Sequence, residues 1–206
     1  MIEITFEDVC AAYGERTIFS GLSKRIPGGR ITAVTGENGS GKSTFLRLAG
    51  HLLRAHEGKV SVCVDGQELR QAELRSHLAM VTPELRFYSY LTARENMEFL
   101  LGLRGITLTD AMYQDGLRQV GLSEEKLEGK YAGAFSTGMR QRLKLAVLFL
   151  SGADIWLLDE PGANLDTAGK TMVLQAARKA ADAGKLVLLA TNDSGEEAAA
   201  DDTICL

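Results

Sequence analysis

The chain has 206 residues, of which 45% are hydrophobic and 24% charged, and a formal net charge of -4. That length supports one large domain, or a domain with a sub-domain, around an ample core, and the mildly negative charge excludes the global basic field of a nucleic-acid binder, so no nucleic acid is expected as a partner. Cys10, Cys63 and Cys205 are odd in number, scattered and without C-x-x-C spacing, which argues against a metal site and for a reducing compartment, with a role as buried small apolar side chains.

In chain order, Ile2, Ile4 and Phe6 alternate with Glu3, Thr5 and Glu7, which predicts a half-exposed strand and is too acidic for a secretory leader. A turn at Tyr13-Gly-Glu-Arg16 and a second extended run through Ile18, Leu22 and Ile26 complete an antiparallel pair, ended by Pro27-Gly-Gly29. Tyr13 in that turn is either a partly exposed hairpin aromatic or a stacking platform for a base. The apolar run Ile31-Thr-Ala-Val-Thr35 then leads into Gly36, Glu37, Asn38, Gly39, Ser40, Gly41, Lys42, Ser43 and Thr44, followed by Phe45-Leu-Arg-Leu-Ala49. Strand, glycine-rich turn and helix in this order match the phosphate loop G-x-x-x-x-G-K-[ST]. Glycines let successive backbone N–H groups turn inward toward phosphate oxygens, and the helix presents its unpaired N–H groups and positive dipole end to the same anion. Lys42 can reach the β- and γ-phosphates, and the Ser43 hydroxyl can ligand Mg²⁺. The pattern assigns a nucleoside triphosphate to this stretch.

Beyond the loop, Gly58-Lys-Val-Ser-Val-Cys-Val-Asp-Gly66 alternates as a strand ending in an Asp-Gly turn, and Leu78-Ala-Met-Val-Thr82 is a short strand stopped by Pro83. From about 84 to 150 the character is helical. Thr92-Ala-Arg-Glu95 is a capping box for a helix carrying Met97, Phe99, Leu100 and Leu103; a second helix covers Met112 to Val120; a third follows Ser136 with Leu143, Ala146, Val147 and Leu150 on one side. This block interrupts a strand–helix alternation and is expected to be an inserted helical sub-domain. Alternation resumes with Asp154-Ile-Trp-Leu-Leu-Asp-Glu160, an apolar strand ending in two acids, a helix from about Thr167 to Ala183 capped at Gly184, the strand Lys185–Thr191, a short Glu- and Ala-rich helix and a final Thr203–Leu206 strand. No apolar run approaches the roughly 20 residues of a membrane span, so a cytosolic chain is expected, with any membrane role exercised through a partner.

Further segments, in this order, resemble the ATP-binding cassette ATPases over nearly the whole chain. Ile155-Trp-Leu-Leu-Asp-Glu160 resembles the Walker B strand, which implies Mg²⁺ on Asp159 and a water polarised by Glu160. Phe135-Ser-Thr-Gly-Met-Arg-Gln141 resembles the signature L-S-G-G-Q, keeping Ser136 and Gly138 while Phe135, Thr137 and Met139 differ. Gly162-Ala-Asn-Leu-Asp166 resembles the D-loop, and Tyr13 the aromatic A-loop that stacks on adenine. The resemblance implies an α/β fold: a P-loop NTPase core with a mainly parallel sheet, an N-terminal antiparallel β sub-domain and the inserted helical sub-domain, the core running over about 1–83 and 151–206. It implies ATP and Mg²⁺ as ligands, Asp166 of the D-loop among the nucleotide-binding residues, and a second ATP-binding cassette, homo- or heterodimeric, whose site Ser136 and Gly138 would complete in trans.

Two positions depart from the family pattern. Where a glutamine usually ligands Mg²⁺ and senses the γ-phosphate, the nearest residue is Glu84, which can supply a carboxylate oxygen or be a solvated loop acid. Where a histidine usually contacts the γ-phosphate the chain has Asn192, which can donate a hydrogen bond but cannot relay a proton, so slower hydrolysis is expected. Phe87, Tyr88 and Tyr90 are either core of the helical block or the lining of a groove for a membrane subunit. The expected function is the ATPase subunit of a membrane transporter, with a separate integral membrane permease holding it at the cytoplasmic face. The short length loosely resembles haem-exporter ATPases of cytochrome c maturation, and the signature those of drug or polysaccharide export. The rival readings are a soluble cassette ATPase and an ATP-dependent assembly module.

Overall fold

A computed structural model describes residues 1–14 and 16–206; Glu15 lies outside the described residues. The chain divides into two compact units, one built from 1–80, 153–160 and 174–206, the other from 81–152 and 161–173.

In the first unit, β1 (Ile2–Tyr13) pairs antiparallel with both β2 (Arg16–Pro27) and β4 (Glu57–Val64), and β5 (Gln67–Glu68) completes a four-stranded sheet in the order β2-β1-β4-β5. β1 bulges in the middle, where Asp8 takes a φ of 49° and its N–H turns to Ser23 Oγ at 2.9 Å. Gly58 crosses there, and a Cβ on it would stand 2.3 Å from the Asp8 carbonyl. The second sheet has the order β6-β7-β8-β3-β9, from β6 (Leu78–Val81), β7 (Ile155–Asp159), β8 (Leu186–Ala190), β3 (Arg30–Thr35) and β9 (Asp202–Cys205). β7 and β8 are buried at all five positions, as a parallel sheet covered on both faces requires. The helix α1 (Lys42–Ala49) packs against β4, β7 and β8. Its Phe45 stacks on Phe6 of β1, ring centroids 4.4 Å apart, while Leu46 and Leu48 are buried with Leu157 and Leu188. The phosphate-loop helix is thus the centre of this unit's core.

The short helix α2 (Gln71–His77), before β6, is not signalled by apolar periodicity, because Leu74 is its one buried residue. Cys205 is exposed and Cys10 and Cys63 are half-buried. This corrects the expectation of buried cysteines; on the short strand β9 only Ile204 faces the core.

The second unit is helical, with α3 (Ala93–Gly102), α4 (Asp110–Gln119), α5 (Glu124–Leu127) and α6 (Thr137–Leu150). The capping box forms as expected, Glu95 N–H to Thr92 Oγ1 and Thr92 N–H to Glu95 Oε2. The buried side of α3 is Ala93, Asn96, Met97 and Leu101, whereas Phe99 and Leu103 are 41% and 71% exposed. Asn96 is buried because its amide holds the preceding loop, donating to the carbonyls of Tyr88, Leu91 and Thr92 and accepting from Tyr88 N–H. The aromatic stretch splits: Phe87 is core, while Tyr88 and Tyr90 are exposed, Tyr88 packing edge-on against Phe99 at 5.0 Å. The helix α7 (Thr167–Asp182) begins in this unit and ends in the other.

Candidate functional site

Strand register places the catalytic candidates of the first unit. β7, β8 and β3 run parallel, with Asp159 opposite Ala190 and Ala190 opposite Val34. The residues that follow, Glu160, Asn192 and the loop from Gly36, therefore leave one carboxyl edge of neighbouring strands, the place where open α/β sheets bind ligands. Glu160 N–H donates to the Ala190 carbonyl at 2.9 Å and Thr191 N–H to Val34 at 3.1 Å, which fixes the three strand ends together. Glu160 takes a φ of 49°, a left-handed conformation costing about 1–3 kcal/mol for a residue without special tolerance.

The loop itself is built tightly. Gly41 caps α1 with φ 111°, and a Cβ there would stand 2.4 Å from Ile18 Cγ2; a Cβ on Gly36 would stand 2.6 Å from Ser40 Oγ. Only glycine satisfies both the dihedral and the space. Ser40 Oγ is buried without a hydrogen-bond partner, an acceptor–donor whose desolvation a phosphate oxygen would relieve. Lys42 folds back over the loop, donating to the carbonyls of Gly36 at 2.8 Å and Glu37 at 3.0 Å. Asn38 accepts at Oδ1 from the Asn192 amide at 2.7 Å. Tyr13 ends β1, paired with Arg16, and its half-exposed ring is anchored by Thr44 Oγ1, which donates to the phenol oxygen at 3.4 Å. The A-loop candidate is thereby held beside the first turn of α1.

The remaining candidates, Glu84, Ser136, Gly138 and Asp166, belong to the helical unit. Ser136 is exposed and caps α6, accepting from Met139 N–H at 3.1 Å. Gly138 approaches the Asn164 carbonyl, 3.1 Å from where its Cβ would be. Asp166 caps the start of α7 through Gly169 N–H at 2.9 Å and pairs with Arg142 at 2.7 Å. The Gly169 N–H, with the Arg142 guanidinium behind it, holds the Asp166 carboxyl below the usual range.

Three bonds from α6 have no counterpart in the sequence motifs. Gln141 donates to the Pro161 carbonyl at 2.8 Å, Arg142 to the Val120 carbonyl at 2.6 Å, and Lys144 to the Thr82 carbonyl at 2.7 Å. The helix after the signature thus holds the segment leaving the acid pair and the segment entering Glu84. Gln141 closes the signature segment and Arg142 follows it, which is the one signal that could have drawn notice to them.

For a metal, no group of three or more His, Cys, Asp or Glu side chains forms a cage among the described residues. A hydroxyl at Ser43 and a buried carboxylate at Asp159 are the hard, sparse donor set that suits Mg²⁺, which keeps waters and takes phosphate oxygens.

Residues 19–163 match the family model described as ABC transporter. The cytochrome c biogenesis ATP-binding export protein CcmA of Xanthomonas axonopodis pv. citri (strain 306) is 35% identical over 166 residues, covering 81% of this chain and 75% of that protein. The histidine/lysine/arginine/ornithine transport ATP-binding protein HisP of Escherichia coli (strain K12) is 31% identical, covering 91% of this chain and 79% of that protein. In fold, the chain matches a dimeric ATP-binding cassette in a post-hydrolysis state bound to ADP and Pi, with a TM-score of 0.85 at 24% identity over 98% of this chain and 94% of that one. It also matches a putative ABC transporter ATP-binding protein from Pyrococcus furiosus, with a TM-score of 0.84 at 20% identity over 99% and 97%. The chain therefore belongs to the ABC transporter family, as one of its nucleotide-binding ATPase domains.

Proposed function

We propose that the chain binds ATP and hydrolyses it to power a membrane transporter, an exporter in direction, through closure of two cassettes over the nucleotide. The observation that carries this reading is the carboxyl edge of the parallel sheet, where the phosphate loop, the Asp159–Glu160 pair and Asn192 emerge from adjacent strands. Backbone N–H groups of the loop, Ser40 Oγ and the Lys42 ammonium would hold the phosphates, and Tyr13 would stack on the base. Glu160 would polarise the attacking water. Ser43 and Asp159 would hold Mg²⁺, and Glu84 of the helical unit is read as a switch acid. Bound there, the ion neutralises charge on the β- and γ-phosphates. Asn192 can donate to a γ-phosphate oxygen but takes no proton, which supports a slow turnover.

In trans, Ser136 at the α6 N-terminus, Gly138 and Asp166 would complete the partner cassette's site. The exposed Tyr88, Tyr90 and Phe99 suit an anchoring surface for a separate integral membrane permease, which would hold the chain at the cytoplasmic face. Export is favoured by the similarity to CcmA, whose name carries that direction. Co-purification from detergent-solubilised membranes tests the transport reading. A multi-span protein is expected to accompany the chain; none under any nucleotide condition would leave a soluble ATPase or an assembly module.

A further inference from the structure

Lys144 on α6 is 7% exposed, in a stretch otherwise buried through Leu143, Leu145, Ala146 and Leu148. An ammonium removed from water requires compensation, and Nζ donates to the carbonyls of Thr82 at 2.7 Å and Pro83 at 3.3 Å. These two residues directly precede Glu84. Burial pushes the Lys144 ammonium below its ordinary range, the Glu84 carboxylate opposes that shift, and Arg140 adds to it. Two neutral carbonyls would be satisfied by a neutral donor at far lower desolvation cost than a lysine carries. A charge here is worth its burial when an acid faces it.

We infer that Lys144 is a positioning residue for Glu84: it fixes the chain entering Glu84 through the Thr82 and Pro83 carbonyls, and it supplies the counter-charge that allows an acid, in place of a neutral amide, to stand there. The inference rests on the reading of Glu84 as a nucleotide-facing switch residue.

The test is a double-mutant cycle of K144M and E84Q, with K144R as the charge-keeping control, read by thermal melting without nucleotide and by ATPase kcat and KM. K144M is expected to lower Tm and to reduce kcat roughly tenfold, with K144R recovering most of both. E84Q is expected to lower kcat in the native background but to raise both Tm and kcat in the K144M background, a change of sign that carbonyl capping alone cannot produce. If E84Q shifts Tm equally in both backgrounds, Lys144 only caps two carbonyls and the inference is overturned. If the sign change appears in Tm while E84Q leaves kcat and KM untouched in the native background, the charge pairing stands and the switch reading of Glu84 falls.

Discussion

The side-chain amide of Asn192 donates to Oδ1 of Asn38 at 2.7 Å, tying the residue after β8 to the phosphate loop without any charged group. An imidazole at this place would add a group titrating near pH 6.5. Asn192→His is therefore expected to raise steady-state ATPase several-fold and to make kcat depend on pH between about 5.5 and 7.5, whereas the native chain lacks that inflection. Identical rates and profiles would show that this position does not limit turnover.

Two loop glycines separate packing from backbone strain. Gly41→Ala places a Cβ 2.4 Å from Ile18 Cγ2 at φ 111°, whereas at Gly39, φ 85°, nothing lies within 4 Å. Gly41→Ala is expected to lower ATP affinity by about a hundredfold or more, since β2 or the loop must move. Gly39→Ala should cost only the strain of a left-handed residue, about 1–3 kcal/mol of stability, with binding still measurable by calorimetric titration. Equal losses would refute the packing distinction.

Gln141 is buried and its amide donates to the Pro161 carbonyl. Gln141→Leu keeps the volume and strands that carbonyl, a loss of about 1–3 kcal/mol. Urea denaturation measures it, and an unchanged midpoint would mean that water replaces the bond.

Asp201 ties β3 to α7, accepting from Ile31 N–H at 2.8 Å and from both guanidinium nitrogens of Arg178 at 2.9 Å. Those bonds, Arg178 first and then Ile31, hold the carboxyl below the ordinary value of 3.8. A carboxyl depressed in the folded state stabilises above its unfolded value and loses that contribution as pH falls through the folded one. Asp201→Asn should thus melt lower than the native chain at pH 6, and the gap should close below about pH 4. A gap that stays as wide however far the pH falls below 3.8 would contradict the linkage.

The phosphate loop was legible in sequence because each of its requirements, glycines, lysine and hydroxyl, is a residue type within one short stretch. The Asp159–Glu160 pair was legible for the same reason, as acids closing an apolar run. What the sequence hid are side chains that bond distant backbone: Lys144 to Thr82, Gln141 to Pro161, Asp201 to Ile31. A backbone carbonyl acceptor or N–H donor carries no residue type, so nothing in the partner's sequence advertises the bond. Likewise, Glu160 adopts a left-handed backbone that only glycine or asparagine would have signalled. Phe99 and Leu103 are apolar at helical spacing yet face solvent, because Asn96 and the loop it holds occupy the inner side of α3.

ATP hydrolysis by the purified chain with Mg²⁺, native against Glu160→Gln, tests the central reading most directly. Native turnover is expected to fall by about a hundredfold or more in the variant, with ATP binding retained because the phosphate loop is untouched. No native turnover alone or with its membrane partner, or equal rates in the two proteins, would contradict the assignment of Glu160 and the ATPase function built on it.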